Sequence, residues 1–314
     1  MLHESAAMRL LAPAKINLHL RVGPPRSDGF HPLSSWFCTI GLFDILTFET
    51  QSNLQESPEP ARLPIQLTCD QPDLPCDQQN LVVRVVEAWA AECESANDAR
   101  IDPLRVHLEK RIPAGAGLGG GSSDGATALM AVNHLWKSGA PPSALASFAA
   151  RFGSDLSFFF FGSSSICKGR GEIVAPIAKP APRWAMLVLP EIHMPTPAVY
   201  KQFDAMKLGR MEEIENDPEW KRWTQFDAAK LMPLLANDLE RPAFTIEPRL
   251  GALRDGIEQS IGQAVRMSGS GSSLFSLFDS ESGAHQSARN VSDKHGVRTL
   301  AVELAPIWND DLHK

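Results

Sequence analysis

Residues 113–123 read Pro-Ala-Gly-Ala-Gly-Leu-Gly-Gly-Gly-Ser-Ser and hold five of the chain's 22 glycines: Gly115, Gly117, Gly119, Gly120 and Gly121. Glycine tolerates positive φ and lets a ligand approach the backbone. Ala126, Leu129, Met130, Asn133 and Trp136 follow at three- and four-residue spacing, which predicts a helix directly after the glycines. Backbone N–H groups converge in such a turn, and the helix N-terminus adds partial positive charge. The chemistry this suits is the binding of phosphate oxygens. A flexible linker is the plainer reading, but linkers do not normally lead at once into a buried helix. A valine at Gly120 is expected to fill the space of a phosphate.

Two familiar glycine loops fail their own requirements. A P-loop needs Gly-Lys-Ser/Thr, and Lys110 precedes the glycines. Gly115, Gly117 and Gly120 match G-x-G-x-x-G, but no Asp or Glu lies between Asp124 and Asp155 to hold a ribose.

Phosphate chemistry also needs a cation and a proton acceptor. Lys15, Asn17, His19 and Arg21 alternate with Ile16, Leu18, Leu20 and Val22, the pattern of a strand with two unlike faces. A half-exposed strand explains it alone. A lysine held near a transferred phosphoryl group would offset developing charge. Asp155 follows a predicted helix that ends at Gly153, and precedes the apolar run Phe158 to Phe161. It is either a turn residue or a proton acceptor. Asp28-Gly29 signals a turn that would present Phe30 for stacking and His31 for hydrogen bonding.

These groups need rigid supports. Residues 36–49 and 104–108 read as strands, the second running into the glycine loop. Asn80 is a natural cap for a helix from Leu81. Residues 51–64 are polar and proline-bearing, a surface loop or hairpin tip. Residues 169–174 read as a hairpin and 185–190 as a buried strand. Pro195-Thr196-Pro197 is a rigid turn into a helix that carries Tyr200, the one tyrosine. Residues 204–230 predict exposed helices on the rim of a cleft, and Asn237-Asp238 starts another. In Ser268-Gly269-Ser270-Gly271-Ser272-Ser273 the glycines suit close approach to a ligand or to the first domain.

A length of 314 residues suggests about two domains, divided at Gly162-Ser163-Ser164-Ser165 into 1–165 and 166–314. A net charge of −7 argues against a nucleic-acid partner. The five cysteines match no zinc spacing, and their odd number argues against a disulfide framework. No apolar run reaches the ~18 residues of a membrane span, so no membrane partner is expected. The N-terminus leaves little room for a signal peptide. A cytoplasmic protein is the expectation.

Gly119-Gly120-Gly121-Ser122-Ser123 before an alanine-rich helix resembles the loop of the GHMP small-molecule kinases. Ala12-Pro13-Ala14-Lys15-Ile16-Asn17-Leu18, paired with Asp28-Gly29-Phe30-His31, narrows the resemblance to the 4-diphosphocytidyl-2-C-methyl-D-erythritol kinases of the non-mevalonate isoprenoid pathway. The resemblance covers nearly the whole chain, with three motifs in family order. It implies an α/β (α+β) two-domain GHMP kinase fold. An N-terminal ATP-binding domain would carry the loop, and a C-terminal domain with an antiparallel sheet and helices would close the cleft. It implies transfer from ATP, with Mg²⁺, to the 2-hydroxyl of a cytidine diphosphate substrate. ATP would lie against Pro113, Gly115, Gly117, Leu118, Gly119, Gly120, Gly121, Ser122 and Ser123. Asn80 and Lys110 would border its adenosine, and Ser122 would be nearest the metal. Lys15 and Asp155 would meet at the transferred phosphoryl group, with Asp155 as base. Asn17, Phe30, His31 and Tyr200 would bind substrate, the two rings sandwiching cytosine and His31 reading its edge.

The chain departs from that family at several places, including Gly125 for Ala and, around the retained Asp155, Ser154 for Ala and Leu156 for Val. Phe30 replaces Tyr. Ala116 replaces Gly, adding a methyl that disfavours positive φ. Asp124 replaces Asn, adding a charge expected to point away from the phosphates. Other GHMP kinases, acting on mevalonate, homoserine or a sugar, lack the Asp-Gly-aromatic-His segment. A nucleotide-binding sensor without activity would be expected to have lost Lys15 or Asp155.

Overall fold

One long hairpin organises the first half of the chain. β1 (Met8–Val22) runs antiparallel to β2 (Leu33–Thr50), with Met8 opposite Phe48 and Val22 opposite Leu33. The computed structural model describes residues 7–50, 64–96 and 101–313, so the stretch expected as a polar loop at 51–64 lies outside it except for Pro64. β3 (Ile65–Cys69) is parallel to β4 (Leu104–Glu109). The free edge of β2 is used twice. Its second half pairs with β4 and its first half with β5 (Ser164–Gly169), which turns back into β6 (Ile173–Pro176). The sheet order is β3-β4-β2-β5-β6, with β1 on the other edge of β2.

A second, antiparallel sheet contains β7 (Trp184–Leu189), β8 (Arg266–Met267), β9 (Leu274–Phe278) and β10 (Arg298–Glu303), in the order β10-β7-β9-β8. Helices α1 (Leu81–Ala96), α2 (Gly120–Leu135) and α3 (Pro142–Ala149) pack on the first sheet. Val82, Val83, Val85 and Val86 are poor helix formers, yet all four are buried beside Leu10, Phe48 and Val106. Burial outweighs propensity here. Ile16 and Leu18 of β1 meet Leu187, Phe275 and Leu277 in a core shared by the two sheets. Leu20 and Val22 enter a third core with Val199 and Phe203 of α4 (Thr196–Ala205).

Two expectations are corrected. A division at 165/166 cuts through β5, because β5 and β6 belong to the first sheet. The small serines read as a linker, but Ser164 and Ser165 are buried, and Ser164 Oγ accepts from Trp36 Nε1 at 3.0 Å. The sheets divide after Pro176, and the chain later returns, with Ala305 N donating to Thr39 O at 2.8 Å. Second, β1 is not half-exposed. Lys15, Asn17 and His19 are buried at 3%, 3% and 2% exposure. Trp220 and Trp223, from the segment expected to stand free on the rim, pack edge-on to His19 at 5.6 and 5.4 Å. Among the described residues, no helix is long and apolar enough to cross a membrane.

Candidate active site

Helix α2 starts at Gly120, and its cap, Gly119, has φ 68. The loop needs glycine most at Gly117. A Cβ there would stand 2.2 Å from Ser268 O, on a backbone with φ of 77. Ala116 does not adopt positive φ, and its methyl is buried in the core between the sheets. The substitution of Gly by Ala therefore leaves the loop undisturbed.

The first turn of a helix has N–H groups without intrahelical acceptors. Here that turn opens on a cleft of about 1010 Å³, bordered by Pro113, Gly115 and the residues from Gly117 to Ser122. Ser123 does not reach the cleft. It is fully buried, and its N–H donates to Gly119 O at 2.9 Å. Each helical residue turns ~100° from the last, so Ser122 faces the ligand side and Ser123 the interior. Gly120 also faces inward. A Cβ on it would meet Ile112 Cγ2 at 2.9 Å, whereas one on Gly121 meets nothing within 4 Å. Both glycines border the cleft, but only at Gly121 would a side chain project into the space a phosphate would use.

Lys15 and Asp155 come together at the floor of this cleft. Lys15 Nζ lies 3.1 Å from Asp155 Oδ2 and donates to Asn17 Oδ1 at 2.7 Å. Asp155 sits in the first turn of the 3₁₀ helix Ser154–Phe160, a third exposed, on the side opposite the buried lysine stem. Asn17 spends both ends of its amide inside the protein, since its Nδ2 donates to Ser35 Oγ at 3.0 Å. That makes it a positioning residue for Lys15, while it also lines the cleft where a substrate contact is expected. The second domain locks the same point. Ser268 Oγ accepts from Asn17 N at 3.2 Å and donates to Gly117 O at 2.9 Å. Asn237 Nδ2 donates to Met267 O and Gly269 O at 2.7 and 2.8 Å.

Lys110 borders the cleft but is committed elsewhere. Its ammonium pairs with buried Asp44 and, at 2.8 Å, with Asp124 Oδ2. Asp44 also accepts from Arg111 N and Ile112 N, at 2.6 and 2.8 Å, and so fixes the approach to the glycines. Asp124 borders the cleft too, and directs its Oδ2 to the Lys110 ammonium. Burial above all holds Asp124 up, to about 8, with Asp44 adding to the effect and Lys110 opposing it. Asn80 borders the cleft as a helix cap. Its Oδ1 accepts from Val82 N at 3.0 Å and its Nδ2 donates to Pro75 O at 2.8 Å.

The other end of the cleft is aromatic. Phe30 is 51% exposed, with the Arg170 guanidinium 4.9 Å from its ring centre. The His31 ring lies 5.1 Å from Tyr200 and 5.6 Å from Phe203. One cleft therefore brings together the glycine turn, the Lys15–Asp155 ionic pair and an aromatic end. This suits phosphoryl transfer to an acceptor that carries a base.

Comparison with known proteins agrees. The family model for the GHMP kinases N terminal domain matches residues 80–163, and that for the GHMP kinases C terminal matches 225–297. A 4-diphosphocytidyl-2-C-methyl-D-erythritol kinase of Protochlamydia amoebophila is 38% identical over 271 residues, covering 86% of this chain and 84% of its own length. The chain belongs to the 4-diphosphocytidyl-2-C-methyl-D-erythritol kinase family. The kinase of that name from Brevibacillus brevis is 33% identical over 304 residues, 94% of this chain and 97% of its own. A crystal structure of a 4-(cytidine 5'-diphospho)-2C-methyl-D-erythritol kinase superposes with a TM-score of 0.72 at 32% identity, over 96% of this chain and 100% of that one. A homoserine kinase from Cytophaga hutchinsonii shares the fold, at a TM-score of 0.67 and 14% identity. The two-domain GHMP kinase fold expected from the motifs is the one found, and the chain is an ATP-dependent small-molecule kinase.

Several structural partners escape sequence reasoning. Asp44 is flanked by apolar residues in β2 and lies 66 residues from Lys110. Ser35 and Ser268 are unremarkable serines until the sheets bring them to Asn17. The Asp-Gly turn and the helix of Tyr200 give no sign that Asp204 joins His31, at 3.4 Å.

Proposed function

We propose that the protein transfers the γ-phosphoryl group of ATP to the 2-hydroxyl of 4-diphosphocytidyl-2-C-methyl-D-erythritol. The observation that carries this is the Lys15–Asp155 pair, 3.1 Å apart in one cleft with the glycine turn and the aromatic end. In this reading, ATP phosphates rest on the N–H groups of Gly120, Gly121 and Ser122, and the adenosine extends toward Asn80. Asp155 takes the proton of the 2-hydroxyl as its oxygen bonds to phosphorus and ADP leaves. Lys15 orients Asp155 and offsets charge on the transferred group. Such transfer depends mainly on positioning and electrostatics, which the buried Lys15–Asn17–Ser35 chain supplies. Phe30 and Tyr200 stack on the cytosine, with His31 at its edge.

Mg²⁺ fits this site through the Ser122 hydroxyl, an oxygen donor on the cleft face of the helix start, of the hard type this ion takes. When bound, the ion would neutralise phosphate charge. The test is Asp155→Asn. Turnover should fall about 10²–10⁴-fold, with ATP affinity nearly unchanged by calorimetry. Turnover within a few-fold of the parent would remove Asp155 from the mechanism.

A further inference from the structure

The aromatic end of the cleft holds a pair of groups that the transfer itself does not use. Gly23 O can only accept a hydrogen bond, so His31 Nδ1, 2.9 Å away, carries a hydrogen. A neutral imidazole then has its lone pair on Nε2. That nitrogen faces Asp204 Oδ1 at 3.4 Å, which is a second acceptor. Two acceptors aimed at each other lack a hydrogen between them. A donor bearing two hydrogens, set against the gap, would satisfy both. The gap is reachable from one side, because the Asp204 side chain is 43% exposed and that of His31 only 7%. Both residues border the cleft. Tyr200 and Asp204 are four residues apart on α4 and share a face of it. The Tyr200 ring is already 5.1 Å from His31. A flat ligand ring on Tyr200 would bring its edge to the gap.

We propose that Asp204, together with His31, selects an exocyclic amine on the ligand ring, so that a 4-aminopyrimidine is accepted and a 4-oxopyrimidine is refused. This rests on the cytidine reading of the cleft. The cytosine amine supplies two hydrogens, one for His31 Nε2 and one for Asp204 Oδ1, and carboxylates are suited to accept from that amine. Uracil places a carbonyl oxygen at the same point, facing a carboxylate and a lone pair. A site built to pair with a donor rejects an analogue that lacks it. Asp204 is a specificity-determining residue here and takes no part in the transfer.

The experiment is calorimetric titration of CDP and UDP into the parent, Asp204→Asn and Asp204→Ala, with ATP as control. The parent should prefer CDP over UDP. Both variants should narrow that preference by about tenfold or more, the size of one good base-edge contact. ATP affinity and melting temperature should stay as in the parent, since Asp204 is exposed and away from the phosphate turn. If Asp204 merely balances a charged His31, CDP and UDP will weaken together and the ratio will hold, which overturns the assignment. CDP binding by the parent with a ratio unmoved in both variants overturns the role of Asp204 and leaves the cytidine reading standing. A parent that binds neither CDP nor UDP overturns both.

Discussion

A single methyl or isopropyl group distinguishes the two faces of the phosphate turn. At Gly121 a side chain would project into open space on the cleft side, where a γ- or β-phosphate would lie. Gly121→Val should therefore weaken ATP binding at least tenfold, with the melting temperature little changed. Gly120→Val should do the reverse first. Its branched side chain would press on Ile112 and the Lys110 ammonium, so the protein should lose about 1–3 kcal/mol as an overpacked site. Thermal melts beside ATP titrations separate the outcomes, and equal ATP affinity in a folded Gly121→Val would place the phosphates elsewhere. At this scale the sequence carries residue types well and directions poorly. Glycine spacing marks the turn, but which glycine faces the ligand depends on the helix phase, set by Gly119 and Ile112. Ser122 and Ser123 look alike in sequence for the same reason, and only one reaches the cleft.

The glycine helix is held near its start by Asp124, through Lys110, to Asp44 of β2. Three buried charges with two acids and one base are best accommodated with one carboxyl protonated, which is the sense in which Asp124 is held up, to about 8. An unfolded-state value of 3.8 makes the sign definite. The folded state keeps a proton that the unfolded state has released, so this contribution is full below pH 3.8 and is lost as pH rises toward 8. Asp124→Asn has no such proton to lose. Its melting temperature relative to the parent should rise steadily from pH 5 to 8 and then level off; a flat difference would mean an ionised Asp124 throughout. His19 acts in the opposite sense. Burial first, and Arg21 second, lower it from 6.5 to about 3. Its contribution is present above pH 6.5 and is lost as pH falls toward 3. Neither device is legible in sequence. Strand alternation shows that Lys15, Asn17 and His19 share a side of β1. It cannot show that Trp220 and Trp223 will cover that side, because those rings arrive from over 200 residues away. The strands, the glycine helix and the caps are legible because each is set by neighbours within one or two turns of chain.

Across the whole molecule, the two sheets are joined at the point where the chemistry is proposed. Ser268 bridges Asn17 N and Gly117 O, and Ser273 N donates to Ala116 O at 3.1 Å; within the first half, Lys15 N donates to Leu118 O at 2.9 Å and ties β1 to the loop. Ser268→Ala leaves a buried donor and a buried acceptor unpaired, which costs about 1–3 kcal/mol. A lower melting temperature should accompany reduced turnover, because the loop and β1 lose a common anchor. A variant as stable as the parent would show that the bridge is not a structural tie. That this junction phosphorylates a cytidine-diphosphate acceptor is tested most directly by following phosphoryl transfer from ATP to 4-diphosphocytidyl-2-C-methyl-D-erythritol, mevalonate and homoserine in parallel. Rapid phosphorylation of the first, at its 2-hydroxyl, is expected, with none above background of the other two; transfer to mevalonate or homoserine instead would contradict a cytidine-diphosphate acceptor.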